Sequence, residues 1–317
     1  MSNPSSFEIL IDLATAILRV QDGRLECRLV QEAEAAPRLP FGPFMPESHR
    51  TMEMGLRQWV REQVGVELAH VEQLYTFADQ GRADQSRNIR GDGAHTVSVG
   101  YLALTTTKAG KPDDWGELYQ FFPWEDWRDA RPPMLDEIII PALDSWLKKA
   151  DHATERVRLA FGRDGAQWDE EFVLERYELL YEAGLVGEAV RDGRKSSPEM
   201  TAYLGTILQL DHRRILATAL GRLRAKLKYR PVLFDLMAEE FTLRQLQATT
   251  EQVMGVELHT QNFRRLVEKS KFVIPTGRTV KARGRPAEIF RFRHIDRAVR
   301  PLSGLRVSSR SSGRKNR

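Results

Sequence analysis

Small polar side chains and arginines are grouped in one short stretch near the end of the chain, where they could contact a polyanion. Thr260, Gln261 and Asn262 can hydrogen-bond phosphate groups or the edges of DNA bases, and Arg264 and Arg265 follow them. The apolar residues of this stretch recur at helical spacing, so one face can lock into a core while the other stays outside. This composition predicts a helix that reads DNA.

A basic hairpin is predicted directly after this helix. Residues 272–274 and 289–292 are strand-like, and the segment TGRTVKARGRPAE lies between them. Arginine fits a narrow minor groove, and lysine or arginine meets the phosphate backbone. We expect DNA contacts from Arg278, Lys281, Arg283 and Arg285. Ordinary solvated charge is the alternative for any single one of them.

The charge of the chain is divided between its two parts. Residues 213–317 hold 25 Lys and Arg against 8 Asp and Glu, whereas residues 1–212 hold 23 against 36. The two parts therefore differ in sign, at +17 and −13. A strongly positive segment concentrates a polyanion and replaces its condensed counterions, which favours nucleic acid as the partner.

Length and composition indicate a globular protein with at least two domains. The chain has 317 residues, 41% of them apolar and 29% charged, and no apolar run approaches the ~20 residues of a membrane helix. The N-terminus lacks the basic start and apolar core of a secretory signal, so we expect a cytoplasmic protein. The single cysteine, Cys27, is predicted to be a small core residue.

The first 150 residues have the pattern of an α+β sandwich. Strand-like runs at 7–20 and 25–30 flank the turn signal Gln-Asp-Gly, which predicts a hairpin. Apolar residues at helical spacing over 50–64 predict a helix that ends at Gly65. Three further runs are predicted as strands: 69–78, 95–107 and 117–124, with a polar loop at 79–93.

The middle of the chain is predicted to be helical, over 143–161 and 168–189, with its charges on solvated faces. Asp211 is the predicted N-cap of the next helix. The apolar face of that helix consists of Ile215, Leu216, Ala219, Leu223 and Leu227. This face could join two copies of the chain, although packing within its own chain is the simpler assignment.

Three compact helices and a hairpin follow, which is the order of a winged helix-turn-helix. A short helix is predicted at 231–237. Thr242 should cap a second helix that ends at Gly255, and Thr260 should cap a third helix over 261–270.

These segments resemble a known family. Residues 211–293 contain DHRRILATALGRLRAKLKY, FTLRQLQATTEQVMG, NFRR, PTG and GRPAEIFRF. They resemble the C-terminal winged helix domain of the Nudix-related transcriptional regulators of bacterial NAD metabolism, the NrtR type. The runs EQLYTFAD and TVSVGYLAL resemble strands of the Nudix-like domain of the same family. The long middle segment departs from that compact pattern and resembles the alphaproteobacterial NadQ branch.

The resemblance implies a division into four parts. These are a Nudix-like effector-sensing domain at 1–150, a helical connector at 151–210, a winged helix domain at 211–297 and a basic tail at 298–317 that is too polar to pack.

The Nudix box departs from the pattern of the family's hydrolases. Those enzymes present several carboxylates from one helix to the Mg²⁺ that bridges a pyrophosphate. When the motif is aligned on Gly65, Gln58 occupies its Arg position, whereas Trp59 and Gln63 occupy two of its Glu positions. Glu62 is the one carboxylate left among these aligned positions. We therefore expect no catalytic residues and no metal, and a domain that senses a nucleotide.

The predicted effector contacts fall into two groups. Arg50, Arg57 and Arg61 could meet the phosphates that Mg²⁺ would otherwise neutralise, beside Glu62. Two aromatic residues could stack on a base: Tyr75 and Phe77. Structural roles are the alternative for each of them.

The implied function is a DNA-binding repressor of NAD biosynthesis or salvage genes, with NAD, ADP-ribose or ATP as effector. A homodimer is expected, because one recognition helix reads few base pairs and two-fold proteins meet palindromic half-sites. The expected DNA contacts are Thr242, Arg244, Thr260, Gln261, Asn262, Arg264, Arg265, Lys269, Arg278, Lys281, Arg283 and Arg285. The alternatives are a divergent Nudix pyrophosphohydrolase with a nucleic-acid-docking domain, or a non-specific nucleoid binder.

Overall fold

The fold is described for most of the chain in a computed structural model. The described residues are 9–68, 70–79, 95–106, 110–194, 204–229, 232–281 and 286–293. No helix in these segments is long and apolar enough to cross a membrane. Most of the polar loop predicted at 79–93 and the tail at 298–317 lie outside the described residues.

A six-stranded sheet organises the first part of the chain. Its strands are β1 (Ile9–Gln21), β2 (Arg24–Arg28), β3 (Phe41–Pro43), β4 (His70–Phe77), β5 (His95–Leu104) and β6 (Trp115–Glu117). They are ordered β4, β5, β1, β2, β6, with β3 paired to β1. The central pair, β1 and β5, is parallel, and the other pairs are antiparallel. The hairpin predicted around Gln-Asp-Gly is confirmed as β1 and β2.

One helix, α1 (Met52–Val64), covers one face of this sheet. The Thr51 side chain accepts from the third residue of the helix, and Gly65, with φ of +63°, ends it in the left-handed conformation that glycine adopts at low cost. Leu56 and Val60 of α1 are fully buried against that face. The helix and its terminating glycine are as predicted.

In the described segments, six further helices lie between β6 and the winged helix part. They are α2 (Leu118–Phe121), α3 (Ile140–Leu147, preceded by a π-helical turn at Leu135–Ile139), α4 (Thr154–Ala160), α5 (Val173–Glu182), α6 (Gly187–Arg191) and α7 (His212–Tyr229). Helix α7 covers the other sheet face, where Ile215 lies 3.1 Å from the position of a Cβ added to Gly100 on β5. The predicted apolar face of α7 is buried inside the chain. A sandwich of helix, sheet and helix results.

The strand predicted over 117–124 is wrong beyond its first residue. β6 ends at Glu117, and the chain continues as α2 and a 3₁₀ turn over Pro123–Glu125. Aromatic residues favour strands because they fit a half-buried pleated surface. Here Phe121, Phe122 and Trp124 are all fully buried between the sheet and the later helices. Burial on every side replaces the alternation that a strand would need.

The solvated charges predicted for the middle helices are wrong at Arg176 and Glu188, and two arginines of α7 are buried as well. Arg176, Glu188, Arg213 and Arg224 are at most 1% exposed. The Arg213 guanidinium lies 3.0 Å from the Glu188 carboxylate and donates to the carbonyls of Phe121 and Leu204. Burial of these arginines is possible because each one is paired and hydrogen-bonded.

The winged helix part begins with a 3₁₀ turn at Val232–Leu236. It then forms β7 (Glu240–Thr242), α8 (Leu243–Met254), α9 (Thr260–Ser270), β8 (Val273–Val280) and β9 (Ala287–Phe292), with sheet order β7, β9, β8. Helices and hairpin occur in the predicted order. The boundaries between the four proposed parts of the chain remain a prediction.

His212, at the start of α7, ties that helix to the segment that leads into β3. Its Nδ1 accepts a hydrogen bond of 3.1 Å from the Leu39 amide, and its ring lies edge-on to Phe41 at 5.0 Å. Burial first, and then the positive charges of Arg38 and Arg191, lower the pKa of His212 to about 3. The ring is therefore a neutral acceptor in the folded chain.

This neutral histidine predicts that stability falls as the pH falls from about 7 to about 3. The unfolded chain takes up a proton near pH 6.5 whereas the folded chain does not, so acid favours the unfolded state. Between pH 7.5 and 5.0 the expected contribution to the loss of unfolding free energy is about 2 kcal/mol. Urea unfolding of wild type and His212→Gln measures it, because glutamine can accept from Leu39 without titrating. Equal losses in both proteins would mean that the ring protonates in the folded state.

Candidate nucleic-acid interface and effector site

Helix α9 presents a polar and basic face to solvent. Its exposed residues are Thr260, Gln261, Asn262, Arg264, Arg265, Glu268 and Lys269. Gln261, Arg265 and Lys269 are spaced by four residues, so they form one stripe along the helix. Phe263 and Val267 face inward and are buried. All six residues predicted on α9 for DNA contact therefore share the solvent side.

The turn before α9 is held by two side chains that the sequence did not single out. The Glu251 carboxylate accepts from the Leu258 amide at 3.0 Å and from the Gln247 side chain at 2.9 Å. The Gln247 amide also donates to the Leu258 carbonyl and to the Thr260 hydroxyl. These bonds fix where α9 begins. Their residue types are too common for the sequence alone to single them out.

Thr260 does not cap α9 as predicted. The N-cap is His259, without a side-chain capping bond, and Thr260 is the first helical residue. The Thr260 hydroxyl accepts from Gln247 because the chain enters the helix one residue earlier. At α8, by contrast, Thr242 forms the complete capping box with Gln245. Arg244 is exposed in the first turn of α8.

The hairpin of β8 and β9 carries the second predicted DNA surface. Arg278 is exposed and pairs with the Glu240 carboxylate at the edge of β7. Lys281 is exposed at the end of β8. Arg283 and Arg285 lie outside the described residues.

The predicted effector arginines lie on and just before α1. Arg50 is exposed. Arg57 pairs with Glu53 at 2.9 Å and donates to the Leu68 carbonyl. Arg61 pairs with Glu67 at 3.0 Å, and both of those side chains are more than half exposed. For these arginines to meet phosphates, two surface ion pairs would have to open, and Arg57 would also have to release the Leu68 carbonyl.

The three residues that depart from the Nudix box, Gln58, Trp59 and Gln63, each donate a hydrogen bond within the chain. Gln63 donates to the Phe41 carbonyl at 2.6 Å and accepts from the Phe41 amide at 3.3 Å. The Trp59 indole donates to the Pro43 carbonyl at 2.9 Å. Gln58 donates to Glu62 at 2.8 Å. Within the described residues, no group of three or more His, Cys, Asp or Glu side chains could hold a metal ion.

Tyr75 and Phe77 lie on the opposite face of the sheet from α1. Phe77 is buried in the cluster that α7 covers, and the Tyr75 ring contacts it edge-on at 5.2 Å. The guanidinium of Arg214, on α7, lies 5.0 Å from the Phe77 ring. The fold therefore separates the two aromatic residues from the arginines of α1. One pocket cannot use both groups.

A cavity of about 750 Å³ opens beside β2 and β6, and none of the predicted effector residues lines it. Arg19 stacks on the Trp115 ring at 3.7 Å and pairs with Glu26 at 2.8 Å. The lining contains two arginines and four carboxylic residues. Because the carboxylates outnumber the arginines, the charge of the lining does not attract a pyrophosphate.

Two buried arginines on α7 also escaped prediction. Arg213 and Arg224 are 11 residues apart, which places them on the same side of a helix with 3.6 residues per turn. Both lie among buried apolar residues of α7. That spacing within an apolar pattern is the signal that could have marked them as buried.

Known proteins match both parts of this architecture. Residues 233–292 match the family model of the NrtR DNA-binding winged helix domain. The ADPR responsive transcriptional repressor NtrR of Acinetobacter baylyi is 36% identical over 85 residues, which are 27% of this chain. The match spans 34% of that relative, about a third of its length.

Two solved structures share the fold over most of the chain. Shewanella oneidensis NrtR complexed with a 27mer DNA has a TM-score of 0.52 and 20% identity, covering 89% of this chain and 93% of that one. A second structure of Shewanella oneidensis NrtR has a TM-score of 0.50 and 20% identity, covering 90% and 94%. At this identity the likeness shows the fold. The predicted Nudix-like sandwich with a C-terminal winged helix domain is confirmed.

Proposed function

We propose that this chain, whose winged helix domain belongs to the NrtR family and whose fold follows the NrtR structures, is a DNA-binding transcriptional repressor controlled by a nucleotide. ADP-ribose is the first candidate effector, because the relative from Acinetobacter baylyi is named as ADPR responsive. NAD and ATP are the other candidates. Genes of NAD synthesis or salvage are the proposed targets.

The observation that carries this proposal is the exposed face of α9. Its polar and basic side chains face solvent while Phe263 and Val267 anchor the helix from behind. A helix held in this way can enter a major groove and present hydrogen-bonding groups to base edges. The proposed base and phosphate contacts are Gln261, Asn262, Arg264, Arg265 and Lys269, with Arg278 and Lys281 from the hairpin.

The Nudix-like domain is proposed to sense the nucleotide without hydrolysing it. Gln63 and Trp59 hold the strand β3 in place of ligating a metal, and Glu62 is engaged by Gln58. A lone carboxylate is a poor site for the Mg²⁺ that pyrophosphate hydrolysis needs. The proposed phosphate contacts are the arginines of the α1 region, without Tyr75 and Phe77.

The proposed working form is a homodimer. One α9 reads only a few base pairs, whereas two copies related by a two-fold axis read a palindromic operator. The apolar face of α7 is already covered within the chain, so the dimer must use another surface.

The test is a mobility shift at fixed salt on DNA from upstream of NAD synthesis genes, beside a scrambled duplex of the same length. We expect selective binding, and a change of about 5- to 150-fold in affinity when the true effector is added. ADP-ribose, NAD and ATP are added separately, so that the response names the ligand. Equal binding to both duplexes, unaffected by any nucleotide, would favour a non-specific binder.

The enzyme alternative is tested with the same protein. ADP-ribose and NADH are incubated with it and Mg²⁺, and the products are separated. We expect no turnover above a protein-free control. Sustained turnover proportional to protein concentration would contradict the sensor proposal and support a pyrophosphohydrolase.

A further inference from the structure

The C-terminal end of α8 is bonded to the segment that follows β6. The Tyr119 hydroxyl donates to the Gln252 carbonyl at 2.7 Å. The Trp127 amide donates to the Gly255 carbonyl at 2.7 Å, and Trp127 forms a parallel bridge with Val256. The last carbonyls of a helix have no partner within it. Here the sandwich part of the chain provides partners for them.

Helix α7 joins the same contact through Arg224. Its Nε donates to the Val253 carbonyl at 3.0 Å, and its Nη1 donates to the Glu125 carboxylate at 2.7 Å. Nη1 also donates to the Glu170 carbonyl at 2.9 Å. One buried side chain thus touches the winged helix part, the segment after β6 and the segment before α5.

Glu125 receives a second buried arginine. Arg176, on α5, donates to both carboxylate oxygens at 2.6 and 3.0 Å and to the carbonyls of Ala160 and Asp169. Glu125, Arg176 and Arg224 are at most 1% exposed. In a medium of low dielectric constant such a cluster tolerates little change in geometry, because a displaced partner leaves a buried charge uncompensated.

Gly255 allows the two parts to approach this closely. Its φ is +68°, and a Cβ added there would lie 2.5 Å from the Glu125 carbonyl oxygen and 2.8 Å from the Tyr119 hydroxyl. Any side chain at this position would push α8 away from the segment after β6. The left-handed glycine therefore ends α8 and also sets its distance from the sandwich.

The N-terminal end of α7 and the residues before it contact the segment that leads into β3, the strand held by α1. His212 accepts from Leu39, and Gln209 bonds to Ala36 and Pro37, just before β3. β3 is in turn held by Gln63 of α1. These contacts connect α1 through β3 to the start of α7, whose Arg224 bonds to the Val253 carbonyl of α8.

We propose that the docking cluster, defined as Tyr119, Glu125, Arg176, Arg224 and the backbone carbonyls of residues 252–255, sets the orientation of the winged helix and passes the state of the effector domain to it. This inference rests on the proposed function. Its members are positioning residues, since none of them reaches the DNA-facing side of α9. In a dimer, the orientation that they fix determines which half-site spacing the two recognition helices can read.

The test compares Tyr119→Phe with Tyr181→Phe in the full-length protein. Both variants lose one buried hydroxyl, but the Tyr181 hydroxyl bonds to Asp192, which is not a member of the docking cluster. Affinity is measured for the operator and for the same operator with about two base pairs inserted between its half-sites, with and without ADP-ribose. For Tyr119→Phe we expect the penalty for wrong spacing and the effector response each to shrink about two- to tenfold, the equilibrium equivalent of one buried hydrogen bond. Tyr181→Phe should behave as wild type.

A second readout does not depend on DNA. Hydrogen exchange of the Trp127 amide, which donates to Gly255, should accelerate in Tyr119→Phe and not in Tyr181→Phe. Unchanged exchange, or spacing and effector responses that match in the two variants, would overturn the inference. A wild-type protein that binds operator and scrambled DNA equally would instead overturn the proposed function, and the exchange rates would then decide the docking role alone.

Discussion

Replacing Arg264 and Arg265 together with alanine is expected to weaken operator binding by about a hundredfold or more. Each arginine that contacts a base or phosphate contributes roughly 1–3 kcal/mol, and a dimer presents each of them twice. Both side chains are exposed, so the free energy of unfolding should change by less than about 0.5 kcal/mol. Fluorescence anisotropy with labelled operator measures the loss.

The control removes the same charge elsewhere. Lys148 and Lys149 are exposed outside the winged helix part, and replacing both with alanine lowers the net charge equally. This variant should keep nearly all of its affinity for the operator, because the overall charge of the protein does not replace a side-chain contact in the DNA groove. Equal losses in the two double variants would show that net charge alone drives binding. Loss of nucleotide binding together with operator binding would indicate unfolding.

Replacing Glu125 with glutamine is expected to lower the free energy of unfolding by about 3–5 kcal/mol. The change leaves two buried arginines without a counter-charge, and breaking a buried pair from one side costs this much. Domains of ordinary size are stable by roughly 5–15 kcal/mol, so the variant should fold with a much reduced margin. Urea unfolding at neutral pH, followed by circular dichroism, gives the difference.

A matched substitution separates burial from pairing. Glu182 also makes a two-pronged contact with an arginine, Arg156, but at the surface, and Glu182→Gln should cost at most about 1 kcal/mol. A similar small cost for Glu125→Gln would contradict the role assigned to the docking cluster in holding the fold.

Acid gives an independent check on the same carboxylate. Burial alone would raise the pKa of Glu125, but Arg176 and Arg224 hold it below its ordinary value of 4.5. The stability that this group contributes is present above pH 4.5 and is lost as the pH falls through its lowered pKa. Wild type should therefore lose this contribution in strong acid, whereas Glu125→Gln has none to lose.

Local patterns predicted the elements whose ends are marked by a single residue. The helix at 50–64 ends at Gly65 because a left-handed terminus requires glycine, and the helix after Thr242 begins there because a threonine hydroxyl caps it. The hairpin of β1 and β2 follows from its turn. In each case the stabilising contact lies within a few residues of the element, so the sequence contains it.

The docking cluster could not be predicted in this way. Its ion pairs join residues 51 and 99 positions apart, and each of its three charged residues looks like an ordinary surface charge in its local sequence. The segment 118–125 was misread for the same reason, because partners distant in the sequence surround its aromatic side chains. Burial by other elements is a property of the fold, which no short window of sequence records.

The candidate site, too, was predictable only where local patterns decide it. The exposed side of α9 follows from helical spacing alone, since the apolar residues fix which face turns inward. Tyr75 and Phe77 were grouped with the arginines of α1 by chemical type, whereas the strand order puts a sheet between them. Placing two groups on one side of a sheet requires knowledge of the packing.

The anchoring of β3 places an early barrier before any change that would give α1 the full set of Nudix-box carboxylates. The Trp59 ring lies over Gly42, 2.3 Å from the position of an added Cβ, and Gln63 bonds both polar groups of the Phe41 backbone. Installing glutamates at both positions would first release this strand and place like charges beside Glu62, before any cation could offset the loss of stability. Intermediates on that path would be less stable than the present chain. A variant with the complete set of carboxylates therefore needs a rebuilt strand and rebuilt supports as well.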